Sequence, residues 1–153
     1  MIAIFVDADA CPVKDEVYVV ATRYGVRVAV VANAPLYVPA GVGAQLIVVE
    51  RGPDAADDWI AQNVRPGDVV ITADVPLAAR CLAAGARVLG ASGREFDQDS
   101  IGGALAMRDL LAERREAGEI TRGPAPISAR DRSRFLGALD AVVQRSLRDE
   151  SGA

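Results

Sequence analysis

Six aspartates in three short stretches carry the chemistry this sequence could do: Asp7 and Asp9; Asp54, Asp57 and Asp58; and Asp74. Carboxylates held close together repel one another, which raises a pKa or calls for a cation. No histidine occurs anywhere in the 153 residues. That removes Ser-His-Asp and Cys-His catalysis, and it removes imidazole as a metal ligand. A metal held here must be a hard cation on oxygen ligands, meaning magnesium, manganese or calcium. Such an ion lowers the pKa of a bound water and stabilises charge on a phosphodiester. Lys14 is the only lysine, whereas arginines are plentiful and can grip phosphates with two parallel hydrogen bonds.

Each aspartate also has a quieter reading. Asp54 and Asp74 suit helix N-caps, with Asp57 as the third-position partner of Asp54. Acidic residues in a first helical turn complement the helix dipole. Asp7 is different, because it ends an apolar run and caps nothing obvious. The functional reading rests on three segments meeting at one place.

The elements that must position them follow from patterning. Ile2–Val6 is a short, almost wholly apolar run, as in a strand buried on both faces of a parallel sheet. Pro12 suits the first position of a helix that carries Val13, Val17, Val20 and Tyr24 and ends at Gly25. Val26–Ala32 and Gln45–Val49 read as strands 2 and 3. The proline- and glycine-containing link 33–43 between them is a short crossover with room for a helical turn. A helix from Ala55 to about Val64 follows, then strand 4 within Asp68–Ala73. A helix capped by Asp74 comes next, ending at Gly85, and then strand 5 at Ala86–Leu89. Gly90–Gln98 reads as a loop and about Ser100–Ala117 as a long helix. Ser128 and Asp131 form a capping box for a last, arginine-rich helix at about 129–148, striped by Leu136, Leu139, Val143 and Leu147.

Alternating strands and helices predict a three-layer, doubly wound α/β fold with a largely parallel five-stranded sheet. Right-handed crossovers favour the order 3-2-1-4-5, with strands 1 and 4 side by side at the centre. Ligands bind such sheets at the carboxyl ends of the strands. Asp7, Asp9, Asp74 and the Asp54–Asp58 group all fall at that edge. Residues 1–150 are expected to form one domain.

Half of the residues are apolar and a quarter charged, as in a globular protein. No apolar run reaches the ~18 residues of a membrane span. The first residues lack a basic leader region, so a cytoplasmic location is expected. Net charge is −4 but uneven: −5 over residues 1–107 and +3 over 108–148. An acidic body beside a basic C-terminal segment hints at a polyanionic substrate, although a solvated helix surface would look the same. Cys11 and Cys81 have no metal-site spacing; Cys81 falls on an apolar helix face, and Cys11 beside the acidic pair is a conceivable thiol with no base to activate it.

Several motifs are distinctive: Asp7-Ala-Asp9-Ala-Cys11-Pro12-Val13; Gly52-Pro-Asp54-Ala-Ala-Asp57-Asp58-Trp59-Ile60; Thr72-Ala-Asp74-Val-Pro76-Leu77-Ala78; Ser92-Gly93-Arg94-Glu95-Phe96; Met107-Arg108-Asp109-Leu110; and Arg130-Asp131-Arg132-Ser133-Arg134-Phe135-Leu136. Together they resemble the YaiI/YqxD family of uncharacterised bacterial proteins, across almost the whole chain. That family in turn resembles PIN-like domains, including the NYN type, which are metal-dependent ribonucleases with an acidic cluster at the carboxyl edge of the sheet. The resemblance implies a PIN-like fold with a magnesium or manganese ion and an RNA partner. Asp7 fits the aspartate after the first strand, Asp74 the one after the fourth, and Asp57 or Asp58 the middle position. Asp7, Asp9 and Asp74 are then the expected catalytic residues, and Asp7, Asp57, Asp58 and Asp74 the expected metal ligands. Arg80, Arg94, Arg108, Arg130, Arg132 and Arg134 are the candidate phosphate contacts.

Two alternatives stand beside the nuclease. An apolar strand followed by Asp-x-Asp also opens haloacid-dehalogenase-type phosphatases, but here a helix follows at once and the downstream lysine is missing. The other is a non-catalytic regulatory domain whose acidic edge holds a metal or caps helices while the arginines dock RNA or a partner.

Overall fold

The computed structural model describes residues 1–50, 52, 54–103 and 127–151. Strand β1 (Ala3–Asp7) lies at the centre of the sheet, and four of its five residues are buried. It pairs in parallel with β2 (Arg27–Ala32) on one side and β4 (Val69–Ile71) on the other. Strand β3 (Ala44–Val48) extends the sheet beyond β2, and β5 (Arg87–Leu89) extends it beyond β4. A strand flanked on both edges and covered on both faces has no solvent side, which is why β1 and β4 read as unbroken apolar runs.

The order is β3-β2-β1-β4-β5-β6, so the expected five-strand core is present and a sixth strand is added. That strand, β6 (Glu95–Phe96), pairs antiparallel with β5 inside the stretch expected to be a loop. Its two residues are too few to show a period. Gly93 sits in the turn that reverses the chain, with φ +88°, and a Cβ there would come within 3.3 Å of Arg134.

Two helical layers cover the sheet. On one face, α1 (Lys14–Tyr24), the C-terminal helix and the 33–43 link pack on Ile4, Val6, Val28 and Val30. On the other, α2 (Ala55–Asn63), α3 (Val75–Ala83) and the described part of α4, residues 98–103, pack on Phe5, Val31, Val70 and Val88. The remainder of the expected long helix and the proline-containing loop after it lie outside the described residues.

The C-terminal helix α5 (Ala129–Ser151) overruns its expected end by three residues. The capping box forms as the sequence suggests: the Asp131 amide donates to Ser128 Oγ at 3.1 Å, and the Ser128 amide to Asp131 Oδ2 at 3.4 Å. The buried stripe is rotated from the expected one. Phe135, Leu139, Val142 and Val143 are buried, and Leu136 and Leu147 only flank them. The seam faces both the sheet and α1, so it is wider than one leucine row.

Two smaller expectations change. Pro12 lies in a turn, and α1 starts at Lys14 with Val13 as its N-cap. The 33–43 link contains no helical turn; Leu36, Val38 and Val42 anchor it against the core instead. At the opposite end of the sheet from the aspartates, the Met1 amine pairs with Glu150 at 3.3 Å.

Phe135 is wholly buried between α1 and the sheet face. Phe135→Ala should cost about 3–5 kcal/mol through the cavity it leaves, a large share of the ~5–15 kcal/mol that stabilises a typical domain. Urea unfolding followed by circular dichroism gives the value.

Candidate functional site

The pairing of β1 with β4 sets the site. The register of β1 with β4 ends at Val6 opposite Ile71, so Asp7, the last residue of β1 and still paired with Val31 of β2, stands beside Thr72, the first residue after β4. The Thr72 hydroxyl donates to Asp7 Oδ2 at 2.9 Å and accepts the Asp74 amide at 3.0 Å. One buried hydroxyl therefore joins the ends of both central strands. Asp74 then caps α3, its Oδ1 accepting the Leu77 amide at 2.9 Å.

Asp7 is 8% exposed. Burial raises its pKa, the Thr72 hydrogen bond lowers it, and the charges of Asp74 and then Asp9 raise it further. Asp57, in the first turn of α2, is pushed up to about 6. Burial is the main cause, followed by the charges of Asp74, Asp7 and Asp54, with Arg80 opposing them. The three segments therefore meet at the carboxyl edge: the charge of Asp74 reaches both Asp7 and Asp57, and that of Asp7 reaches Asp57.

The other expected acids stand at the margins. Asp9 is exposed in a 3-10 turn (Ala8–Ala10), its Oδ2 accepting the Asn33 amide at 3.3 Å. Asp54 is the N-cap residue of α2 yet makes no side-chain capping bond. Asp58 is exposed and pairs with Arg80 at 2.8 Å. Of the two residues left open at the middle position, Asp57 is raised by the charges of Asp74 and Asp7, while Asp58 is engaged with Arg80. Among the described residues, no three or more Asp, Glu or Cys side chains stand arranged to hold a metal ion.

The arginines divide. Arg80 is engaged with Asp58, and Arg132 donates to the Pro12 carbonyl at 3.0 Å and pairs with Glu16 at 3.3 Å. Arg94 lies over the Phe96 ring, 5.7 Å from its centroid. Arg130 and Arg134 are exposed, and no ion pair occupies them among the described residues. Arg134 backs onto Gly93, and Arg132 reaches the turn before α1, so α5 begins at the same edge as Asp7. Arg108 lies outside the described residues.

Two site residues escape a sequence reading. Thr72 carries a faint signal, a hydroxyl at the end of an apolar strand two residues before an aspartate. Asn33 carries none, because its place beside Asp9 depends on the pairing of β1 with β2. Its Oδ1 is buried without a hydrogen-bond partner. The thiols are spent in packing: burial raises Cys11 and pushes Cys81 up to about 11.

A mostly parallel six-stranded sheet with helices on both faces and acids at its carboxyl edge defines the class as a layered α/β domain. Within that class the chain belongs to the uncharacterised YaiI/YqxD family, whose model matches residues 5–145. Relatives carry the name UPF0178 protein. One from Rhodopseudomonas palustris (strain BisB5) is 56% identical over 145 residues, covering 95% of this chain and 88% of the relative. Another, from Azorhizobium caulinodans, is 53% identical over 144 residues, covering 94% of this chain and 91% of its own length. A third, from Rhodospirillum rubrum, is 52% identical over 142 residues, 92% of this chain and 95% of the relative. No solved structure matches significantly. Among the described residues no helix is long and apolar enough to cross a membrane.

The raised pKa of Asp57 has a definite sign in stability. Between its ordinary 3.8 and about 6 the native state holds a proton that the unfolded chain has released, so this group's effect on stability falls across that interval. Above it the full penalty persists. Asp57→Asn should flatten that fall and stabilise the chelator-treated protein at neutral pH by roughly 1 kcal/mol, a figure reduced for partial exposure. Urea titrations at several pH values measure it.

Proposed function

We propose that the chain is a divalent-metal-dependent nuclease acting on RNA, with a PIN-like arrangement of acids. The observation that carries this reading is the convergence of acids from three segments: the Thr72 hydroxyl joins the Asp7 carboxylate to the Asp74 amide, and the charges of Asp74 and Asp7 raise Asp57. Repulsion of that kind costs stability, and a cation bound between the carboxylates would relieve it. The donors are all hard carboxylate oxygens, which suits magnesium or manganese. They are not preassembled, so binding requires Asp57 and Asp74 to adjust toward Asp7.

When bound, the ion would activate a water and shield charge on the phosphodiester. Thr72 holds the Asp7 carboxylate in one orientation and favours its charged form. Asp57 exchanges a proton near pH 6 in the metal-free protein, and Asp9 stands exposed beside the same edge. Arg130 and Arg134 supply positive charge at the start of α5, where cations oppose the helix dipole and cost a little stability. The phosphatase alternative is disfavoured, since α1 begins at Lys14 and leaves no room for an insert after Asp9. A non-catalytic reading draws on Arg80 and Arg132, whose guanidinium groups are already held by Asp58 and Glu16.

Mixed RNA substrates incubated with magnesium or manganese should be cleaved, and a chelator should stop the reaction. Asp7→Asn should slow it by about two orders of magnitude, the scale of removing a charge-stabilising group. RNA that binds but stays intact with every divalent ion would favour the non-catalytic reading.

Replacing both Arg130 and Arg134 by alanine should weaken RNA binding with little sequence preference. It should also reduce the salt dependence by up to about two phosphate contacts. Filter binding at several salt concentrations reports the slope. An unaltered slope in a folded double variant places the substrate path elsewhere.

A further inference from the structure

Among the described residues, part of one sheet face carries no helix. The 33–43 link between β2 and β3 packs on the same face as α1. On the opposite face, α2 returns from β3 to β4 across the middle of the sheet and packs on β1 and β2. Among the described residues, no helix covers the outer part of β2 and β3 there. The result is an open groove of about 710 Å³ at the amino-terminal half of these strands, away from the aspartates.

Sequence shapes this groove. In register, Phe5 stands beside Ala29 and Ala29 beside Gln45, with Ala3 beside Arg27 in the next row. The alanines keep the floor low between Phe5 and Ile47, and Trp59 of α2 forms the wall. The Trp59 and Phe5 rings lie 6.0 Å apart, tilted by 51°. Arg27 and Arg65 line the rim, both exposed and in no ion pair among the described residues. Asp68 also lines the groove, but its carboxylate is turned to the backbone: Oδ1 accepts the Ala3 amide at 2.9 Å and Oδ2 the Arg65 amide at 2.8 Å. The Met1 amine at the rim is matched by Glu150.

We propose that this groove is a binding site for a free nucleoside monophosphate. Volumes of ~300–1,000 Å³ suit small molecules. Aromatic side chains offer a stacking surface to a planar base, and guanidinium groups recognise phosphate with paired hydrogen bonds. An aromatic wall, a shallow apolar floor and two arginines at one rim match a ligand that is flat and apolar at one end and anionic at the other. The Gln45 amide, in line with Ala29, is placed to meet polar atoms of the base or ribose. The proposal does not depend on the acidic edge being catalytic.

The test uses Trp59, the only tryptophan, as a built-in reporter. The whole chain, in chelator so that the acidic edge contributes no metal, is titrated with each of the four nucleoside monophosphates while tryptophan emission is followed. The site gives a saturable change. Replacing Arg27 and Arg65 together by alanine weakens it by about tenfold or more, as expected for lost charge-assisted phosphate contacts. Ala29→Leu, which raises the floor, abolishes it while the melting temperature stays near that of the unaltered chain. Any of these results would overturn the proposal: no saturable change; equal affinity for ribose 5-phosphate, which lacks the base; equal affinity in the folded arginine double variant; or a short RNA that competes far better than its mononucleotide. Sedimentation showing a dimer that buries Trp59 at the same concentration would assign the groove to a second copy and reject the nucleotide.

Discussion

The Thr72 hydroxyl is the contact through which the carboxyl edge is organised. It donates to one strand's terminal aspartate and accepts the backbone amide of the other's. That double role needs β1 and β4 to be neighbours in one register, and the register needs both strands to be buried. Each layer of the structure feeds this requirement. The α1 and α5 face seals Val6 and Ile71, and the α2 and α3 face seals Phe5 and Val70. A slip of one residue in β1 would turn Asp7 into the apolar layer, where an unpaired carboxylate is strongly disfavoured. The packing of the core and the orientation of the acids are thus one constraint.

The cost of the arrangement is local. A buried Asp7 with two acidic neighbours is held by a single hydroxyl, and Asp57 sits in the same field. Several charges elsewhere among the described residues are matched. Arg23 pairs with Asp140, which also accepts the Tyr24 hydroxyl at 2.8 Å; Arg145 pairs with Glu95 at 2.6 Å and Arg87 with Asp149. These pairs tie α5 to α1 and to the β5–β6 hairpin. Asp7 and Asp57 at the carboxyl edge have no such cationic partner among the described residues.

Much of the frame was legible because it obeys simple periods. Unbroken apolar runs marked the central strands, and glycine at 25 and the Ser128–Asp131 box marked helix ends as they stand. The order of the first five strands followed from handedness. What was not legible depended on tertiary partners. β6 is two residues long and exists because β5 offers it an edge. The α5 stripe turned because two surfaces compete for it. Asp54 looked like a cap but contributes no capping bond, while Asp74 does. At the site, aspartates announced themselves by type, but neither Thr72 nor Asn33 did. That Arg80 pairs with Asp58 rather than Asp57 also depends on how α3 packs beside α2.

The last helix has a consequence for how the chain must fold as it is made. Arg132 reaches the Pro12 carbonyl across 120 residues, and Phe135, Leu139 and Val143 complete the core around α1 and β1. Until α5 is made, the apolar layer beneath it lacks this cover. The early strands are parallel and their pairing is non-local, which slows folding. Truncation within α5 therefore removes the lid of the core as well as a surface helix.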